Sequence, residues 1–141
     1  MKKGEQEMKK LFKSIILSAV LIIGAVAVAP SASAAWSGHQ TSKKVRVYTG
    51  ATTYSSRATS VDWKAEKTTA GRVYYSAMLV RSDNYSNSGA QRGNFTTATP
   101  LKRFSLSGVK PGTYRIIVNI YSDSNERNYI GSASSAKIYI K

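Results

Sequence analysis

The sequence predicts an all-β fold, an antiparallel two-sheet sandwich of about seven strands, and three observations support this prediction. Apolar and polar residues alternate, with the period of a sheet strand, in several short segments of the chain. Clusters of Gly, Pro, Asn, Asp and Ser separate these segments, as turns separate strands. No segment after residue 34 keeps a helical period. The 141 residues suffice for one domain of this kind.

The amino-terminal segment has the pattern of a secretory signal peptide. Lys9, Lys10 and Lys13 precede a nearly unbroken apolar run over 15–29, and small residues follow it in an A-x-A arrangement. The run is shorter than the roughly 20 residues of a bilayer-spanning helix, so a retained anchor is the less favoured alternative. We predict a signal peptide over 1–34, cleaved after Ala34 or, as the alternative, after Ala35.

The first seven residues do not fit this leader. Glu5 and Glu7 place acidic side chains where a signal peptide is normally basic, whereas Met8 is followed directly by Lys9 and Lys10. We therefore expect translation to begin at Met8, with Met1 as the alternative start.

The chain after the leader is strongly basic and contains no cysteine. Residues 35–141 carry 16 Lys or Arg residues against five Asp or Glu residues, a formal net charge of +11. Disulfides are excluded, so apolar burial and sheet hydrogen bonds must stabilise the fold. A cysteine-free exported chain with a lysine-rich leader is typical of Gram-positive bacteria. We expect a flexible arm over 35–42 and the sandwich domain over 43–141.

The alternation locates the strands and the side chains that face the core. Strands are predicted over 43–49, 60–67, 72–81, 94–98, 101–106, 113–121, 129–130 and 136–141. Residues 50–60 form a loop or a weak edge strand, 82–93 an exposed hairpin loop, and 122–128 a turn. The predicted core residues are Val45, Val47, Val61, Trp63, Ala65, Val73, Tyr75, Ala77, Leu79, Tyr114, Ile116, Val118 and Ile120.

The stretch from Phe104 to Tyr121 predicts a short strand, a corner and a long strand. Gly108 and the pair Pro111-Gly112 supply the backbone conformations of the corner. Phe104-x-Leu106-x-Gly108 followed by Pro111-Gly112-Thr113-Tyr114 resembles the penultimate turn and strand of immunoglobulin-like and fibronectin type III sandwiches. The resemblance implies that the Tyr114 hydroxyl bonds back to the preceding connection, and that Trp63, in an early strand, is buried.

No catalytic or metal-binding constellation is evident in the sequence. His39 is the only histidine and lies in the predicted arm without a matching serine and carboxylate. Asp62 and Glu66 would lie about 13 Å apart along one strand, too far for paired-carboxylate hydrolysis. The loops beginning at Asp83 and Asp123 offer one or two carboxylates each, and turn hydrogen bonds are favoured there over a weak calcium site. We predict no enzyme, no cofactor and no metal.

The basic residues are the strongest indication of function. They recur through the whole chain with outward aromatic residues among them, namely Tyr48, Tyr54, Tyr85 and Tyr129. This pattern favours attraction to a polyanion, with stacking of tyrosines on sugars or bases. The predicted polyanion-binding residues are Lys43, Lys44, Arg46, Lys64, Lys67, Arg72, Arg81, Arg92, Lys102 and Arg103.

The sequence therefore predicts a secreted, non-enzymatic sandwich that binds an anionic cell-envelope or extracellular polymer, such as an anionic wall polymer or a membrane surface. Non-specific adhesion of a basic protein to an anionic wall is the simplest alternative. A bacteriocin-like or membrane-active protein is a second, although no contiguous amphipathic segment follows the leader. A module that binds a protein partner through loops 82–93 and 122–128 is a third.

Overall fold

The computed structural model describes residues 33–141, and the chain from Ala32 to Lys141 forms one compact unit. Most of the predicted signal peptide, and the predicted start at Met8, lie outside the described residues. Within the described part no helix could cross a membrane.

Ten strands within residues 33–141 confirm the predicted all-β class. They are β1 (Ala35–Trp36), β2 (Val45–Thr49), β3 (Thr53–Tyr54), β4 (Ser60–Lys67), β5 (Val73–Arg81), β6 (Gln91–Phe95), β7 (Lys102–Ser105), β8 (Gly112–Tyr121), β9 (Tyr129–Ser134) and β10 (Ile138–Ile140). The eight predicted strand segments are all present, and the two additional strands, β1 and β3, have only two residues each, too short for periodicity to reveal.

The strands form two sheets that enclose one core. The small sheet has the order β1-β2-β4-β7 and is antiparallel throughout. The large sheet has the order β3-β10-β8-β5-β6, and β9 pairs with the end of β8 that β10 leaves free. The pairing of β3 with β10 is parallel, the one departure from the antiparallel prediction among the described strands.

The core forms where the inner faces of the two sheets meet. Strands β4 and β8 alternate buried and half-buried residues, as the period of two requires, whereas the central strand β5 buries residues on both of its faces. Trp63 is completely buried and stacks on Phe104, with ring centroids 5.7 Å apart. It also meets Tyr75 edge to face at 5.9 Å, and its Nε1 donates to Gln91 Oε1 over 3.3 Å. Trp63 thus joins both sheets at the middle of the core.

The corner before β8 has the geometry of a tyrosine corner. Gly108 has a φ of 76°, a left-handed conformation that glycine adopts without strain. The Tyr114 hydroxyl donates to the carbonyl oxygen of Lys110 over 2.7 Å, the hydrogen bond that the resemblance implies. Because Tyr114 itself is buried, this bond satisfies a hydroxyl that would otherwise be unpaired in the core.

Residues 35–42, predicted to be a flexible arm, contact both sheets in the structure. Ala35 and Trp36 pair with the edge of β2, and Ser37 Oγ accepts a hydrogen bond from Val47 N. The Gln40 side-chain amide bonds both backbone polar groups of Ser134, as a neighbouring strand would. Its Nε2 donates to Ser134 O over 2.9 Å, and its Oε1 accepts from Ser134 N over 3.0 Å. The segment is ordered because it satisfies backbone groups that the edges of β2 and β9 would otherwise leave unpaired.

Several strand boundaries also differ from the prediction, and three of the differences have a clear cause or consequence. β6 begins at Gln91, inside the predicted loop, because its backbone pairs with β5 although only Phe95 is buried. β9 extends to Ser134, and its register against β8 shifts beside Gly131, where a bulge was expected. β10 is limited to Ile138–Ile140.

Candidate functional site

The outer face of the small sheet carries a row of two aromatic rings and a cation. Trp36, Tyr48 and Lys64 are cross-strand neighbours on β1, β2 and β4, and all three point away from the core. The two ring centroids are 5.2 Å apart, and Lys64 Nζ lies 5.5 Å from each of them. These distances are within the range of cation–π attraction.

Arg46 adds a second cation to this row. Its guanidinium carbon lies 4.0 Å from the centroid of a Trp36 ring, and its Nε donates to Glu66 Oε1 over 3.0 Å. Both partners of this ion pair are about one third exposed, so solvent can reach the pair. We call Trp36, Arg46, Tyr48 and Lys64 the cationic aromatic face.

The carboxylates of residues 33–141 are already engaged by other groups. Glu66 pairs with Arg46, and three more ion pairs join Asp62 to Arg103 at 3.2 Å, Glu126 to Arg92 at 2.9 Å, and Asp83 to Arg81 at 2.8 Å. The surface of the described part therefore presents cations without matching anions.

Asp123, the fifth carboxylate, closes the turn over 122–128. Its Oδ1 accepts hydrogen bonds from Asn128 N over 2.9 Å and from Arg127 N over 3.0 Å. These backbone hydrogen bonds hold the pKa of Asp123 below its usual value. In residues 33–141 no cluster of three or more potential ligands could hold a metal ion, and the oxygens of this turn serve the backbone instead.

The predicted polyanion-binding residues do not converge on one site. Arg46 and Lys64 lie together on the small sheet, and Arg103 follows on the adjacent strand β7 opposite Asp62. Arg92 is on the large sheet, and the exposed Arg72 donates to Asn94 Oδ1. None of the five predicted lysines makes an ion pair with a described residue, and four of them lie on the surface: Lys43, Lys44, Lys64 and Lys102.

Lys67 is an exception to the predicted basic surface because it is buried, at 5% exposure. Its Nζ donates to the carbonyl oxygen of Thr69 over 2.5 Å. Desolvation, together with the nearby charge of Lys43, lowers the pKa of Lys67. The alternation of β4 contains the signal for this burial, since Lys67 has the same parity as Trp63 and Ala65.

Two aromatic residues have environments that the sequence did not indicate. Trp36 belongs to the cationic aromatic face, although its segment was expected to be a mobile arm. Tyr54 was expected to point outward, but it is 9% exposed and its hydroxyl accepts a hydrogen bond from Ala51 N. Tyr85 and Tyr129 are exposed as expected, at 77% and 60%.

The outer face of the large sheet has a different character. Met78 on β5 lies opposite Ile117 on β8. Further along the same two strands, Tyr74 lies opposite Tyr121. These four side chains are half-buried. Next to the Met78–Ile117 pair, Arg115 on β8 lies opposite Val80 on β5. Between the Met78–Ile117 and Tyr74–Tyr121 pairs lies the polar pair Ser76 and Asn119, so this face alternates apolar or aromatic pairs with polar ones.

Two sheets around a shared core, a tyrosine corner and a buried strand tryptophan define an immunoglobulin-like β-sandwich domain. The sequence match agrees with this class, because residues 32–141 match the family model described as the YqgA MG2 macroglobulin domain. The chain therefore belongs to this family, whose MG2 domains are immunoglobulin-like and generally non-catalytic. No curated protein matches the chain significantly.

Proposed function

We propose that this protein is exported, does not act as an enzyme, and binds an anionic polymer of the cell envelope through the cationic aromatic face. The observation that carries the proposal is the row formed by Trp36, Tyr48 and Lys64, in which an unpaired ammonium group lies over two aromatic rings. A phosphate or carboxylate of a polymer can approach Lys64 without displacing a carboxylate of the protein.

The charge balance of the domain supports the same ligand class. Four of its five carboxylates are in ion pairs with arginines, and Asp123 is bound by backbone N–H groups. The remaining Lys and Arg residues produce a positive potential that attracts polyanions at long range. Lys43 and Lys44 immediately precede β2. Two more lysines without an ion pair therefore lie at the beginning of the strand that carries Arg46 and Tyr48.

The aromatic rings add contacts that charge alone does not provide. A polymer with glycerol or sugar units between its anionic groups would place aliphatic carbons on the Tyr48 ring while an anionic group approaches Lys64. Simultaneous contact with the Tyr48 ring and with Lys64 would distinguish specific binding from general adhesion of a basic protein to a wall.

The leader supports export of the chain. Its lysines, apolar run and A-x-A ending are those of a secretory signal peptide. An exported domain meets wall polymers and the outer leaflet of the membrane first, so we place the protein outside the cell, associated with the envelope.

Co-sedimentation with Gram-positive cell walls, with and without their teichoic acids, tests the proposal over a salt series. We expect binding that requires the teichoic acids and weakens with salt. Lys64→Gln should weaken it and reduce the magnitude of the slope of log affinity against log salt by about one. Arg115→Gln, the same loss of charge on the large sheet, is the matched control and should have little effect.

Two results would overturn the proposal. Binding that is independent of salt would exclude the electrostatic mechanism. Equal losses from Lys64→Gln and Arg115→Gln would show that net charge, rather than the cationic aromatic face, determines binding. Release of dye from anionic vesicles at the binding concentration would instead support a membrane-active protein.

A further inference from the structure

A cleft opens at one edge of the sandwich, away from the cationic aromatic face. It lies between the loop 84–91 and the connection 104–110, next to the contact in which Gln91 Nε2 donates to Arg103 O over 2.6 Å. Its volume is about 720 Å³. Small-molecule sites commonly have about 300–1,000 Å³, so the cleft can hold a ligand of two or three sugar units.

The floor of the cleft consists of core side chains. Leu79, Phe104 and Tyr114 line it from below, and the half-buried Val109 completes it. A flat apolar surface of this kind suits the C–H face of a sugar ring, whereas the hydroxyl groups at the ring edge require polar partners. Those partners are found on the two walls.

Three polar side chains of the walls each accept a hydrogen bond from a backbone N–H group. Asn84 Oδ1 accepts from Ser86 N, Asn87 Oδ1 accepts from Gly89 N, and Ser105 Oγ accepts from Ser107 N, at 2.9 to 3.1 Å. What these side chains can still offer a ligand is their amide N–H and hydroxyl O–H groups. The walls therefore select a ligand that is rich in hydrogen-bond acceptors.

The charges that line the cleft are positive. Lys110 is exposed and makes no ion pair with any described residue, while its backbone carbonyl is held by Tyr114. Arg81 Nε lies 2.8 Å from Asp83 Oδ1 but makes no directed hydrogen bond, and the Arg81 guanidinium lies 5.9 Å from the Tyr114 ring. No Asp or Glu residue lines the cavity within the described part of the chain.

We propose that this cleft binds an anionic saccharide, a short sugar segment that carries carboxylate or phosphate groups. The anionic group lies at Lys110, the ring and hydroxyl oxygens accept from Asn84, Asn87 and Ser105, and the ring face lies on the floor. The proposal does not depend on the cationic aromatic face, because the two sites share no residue.

A saccharide fits this cleft better than an acidic peptide. A peptide backbone presents as many N–H donors as C=O acceptors, and its donors would compete with the backbone N–H groups that Asn84, Asn87 and Ser105 already accept. A saccharide carboxylate or phosphate is acceptor-only, and sugar hydroxyl groups accept as well as donate.

Isothermal titration of residues 33–141, the compact unit that contains all ten strands, tests the proposal. The probes are trigalacturonate, glucose 6-phosphate, uncharged maltotriose and a tetraglutamate peptide. We expect the cleft to bind trigalacturonate or glucose 6-phosphate, and the better of the two identifies the anionic group. Maltotriose should bind at least about tenfold more weakly, since it lacks a charge-assisted contact.

Two variants locate the binding in the cleft. Lys110→Gln should weaken it about tenfold, whereas Lys137→Gln, the same change at an exposed residue outside the cleft, should leave it unchanged. Ala90→Trp should fill the cleft and abolish binding, and an unchanged unfolding curve would show that this variant is folded.

Three outcomes would overturn the proposal. The first is equal affinity in the Lys110→Gln and Lys137→Gln variants. The second is full binding by Ala90→Trp, and the third is tighter binding of tetraglutamate than of either anionic sugar. None of these results bears on Lys64, so the failure of this site and the failure of the cationic aromatic face are distinguishable.

Discussion

The two sheets have similar inner faces but opposite outer faces. The small sheet presents ions and aromatic rings outward, with Arg46 paired to Glu66 and Lys64 placed over Trp36. The large sheet presents Met78 and Ile117 at the centre of its outer face. The shared inner pattern builds the sandwich, and the outer patterns determine what each side can bind. Under our proposal the small sheet provides the attraction to polyanions, whereas the outer face of the large sheet presents apolar and aromatic pairs on both sides of Ser76 and Asn119.

The largest expected effect is a loss of stability when Trp63, which contacts both sheets in the core, is removed. Trp63→Ala removes a side chain that contacts Phe104 on the small sheet and Tyr75 on the large sheet. We expect a loss of about 3–5 kcal/mol in the free energy of unfolding, measured by urea denaturation. Trp36→Ala, on the outer face, is the control and should lose much less. Similar losses in both variants would contradict the division into inner and outer layers.

The second prediction concerns the corner that enters the large sheet. Tyr114→Phe removes the hydroxyl that donates to Lys110 O and leaves the ring in the core. The expected loss is about 1 kcal/mol of unfolding free energy, the usual net contribution of one hydrogen bond. Tyr139→Phe, at an exposed tyrosine of β10, is the matched control. If the two variants are equally stable, the corner hydrogen bond does not contribute.

A smaller effect, visible as a pH dependence, is expected at Lys67, the cation of the small sheet that faces inward. Because burial lowers the pKa of Lys67 below 10.5, the unfolded chain binds its proton more tightly than the folded chain does. Wild-type stability should therefore rise, relative to Lys67→Met, as the pH increases from the lowered pKa towards 10.5. Thermal unfolding of both proteins over this range measures the difference, and a constant difference would show that the pKa is not shifted.

The smallest expected effect concerns the ion pair on the cationic aromatic face. Glu66→Gln removes the carboxylate that pairs with Arg46. Since both side chains are about one third exposed, we expect the unfolding free energy to change by less than about 0.5 kcal/mol. Wall binding should strengthen, because the face gains one unpaired cation. A large loss of stability together with weaker wall binding would mean that Glu66 positions Arg46 for binding, rather than only neutralising the charge of Arg46.

Local patterns were sufficient to predict the fold. Strand β4 has the predicted bounds and buries Val61, Trp63 and Ala65, because alternation determines which side of a strand faces the core. The Tyr114 hydrogen bond also follows from local sequence, since its partner Lys110 is only four residues away.

The site could not be predicted in the same way. The contact between Gln40 and Ser134 joins residues 94 positions apart through a side chain, and no local period reveals such a contact. Trp36 was therefore assigned to a mobile arm, although it forms part of the cationic aromatic face. The ion pairs that neutralise Arg81 and Arg92 likewise depend on the packed structure.

The chain contains two tryptophans, and their different surroundings provide two optical reporters. Trp63 is fully buried, so its emission should be blue-shifted and resistant to acrylamide quenching until the domain unfolds. Trp36 is only partly buried and lies beside the cations of Arg46 and Lys64. A ligand that draws these cations away should therefore change the intensity of Trp36 while the emission of Trp63 stays constant. Unmodified protein can thus report binding and folding separately in a single fluorescence titration.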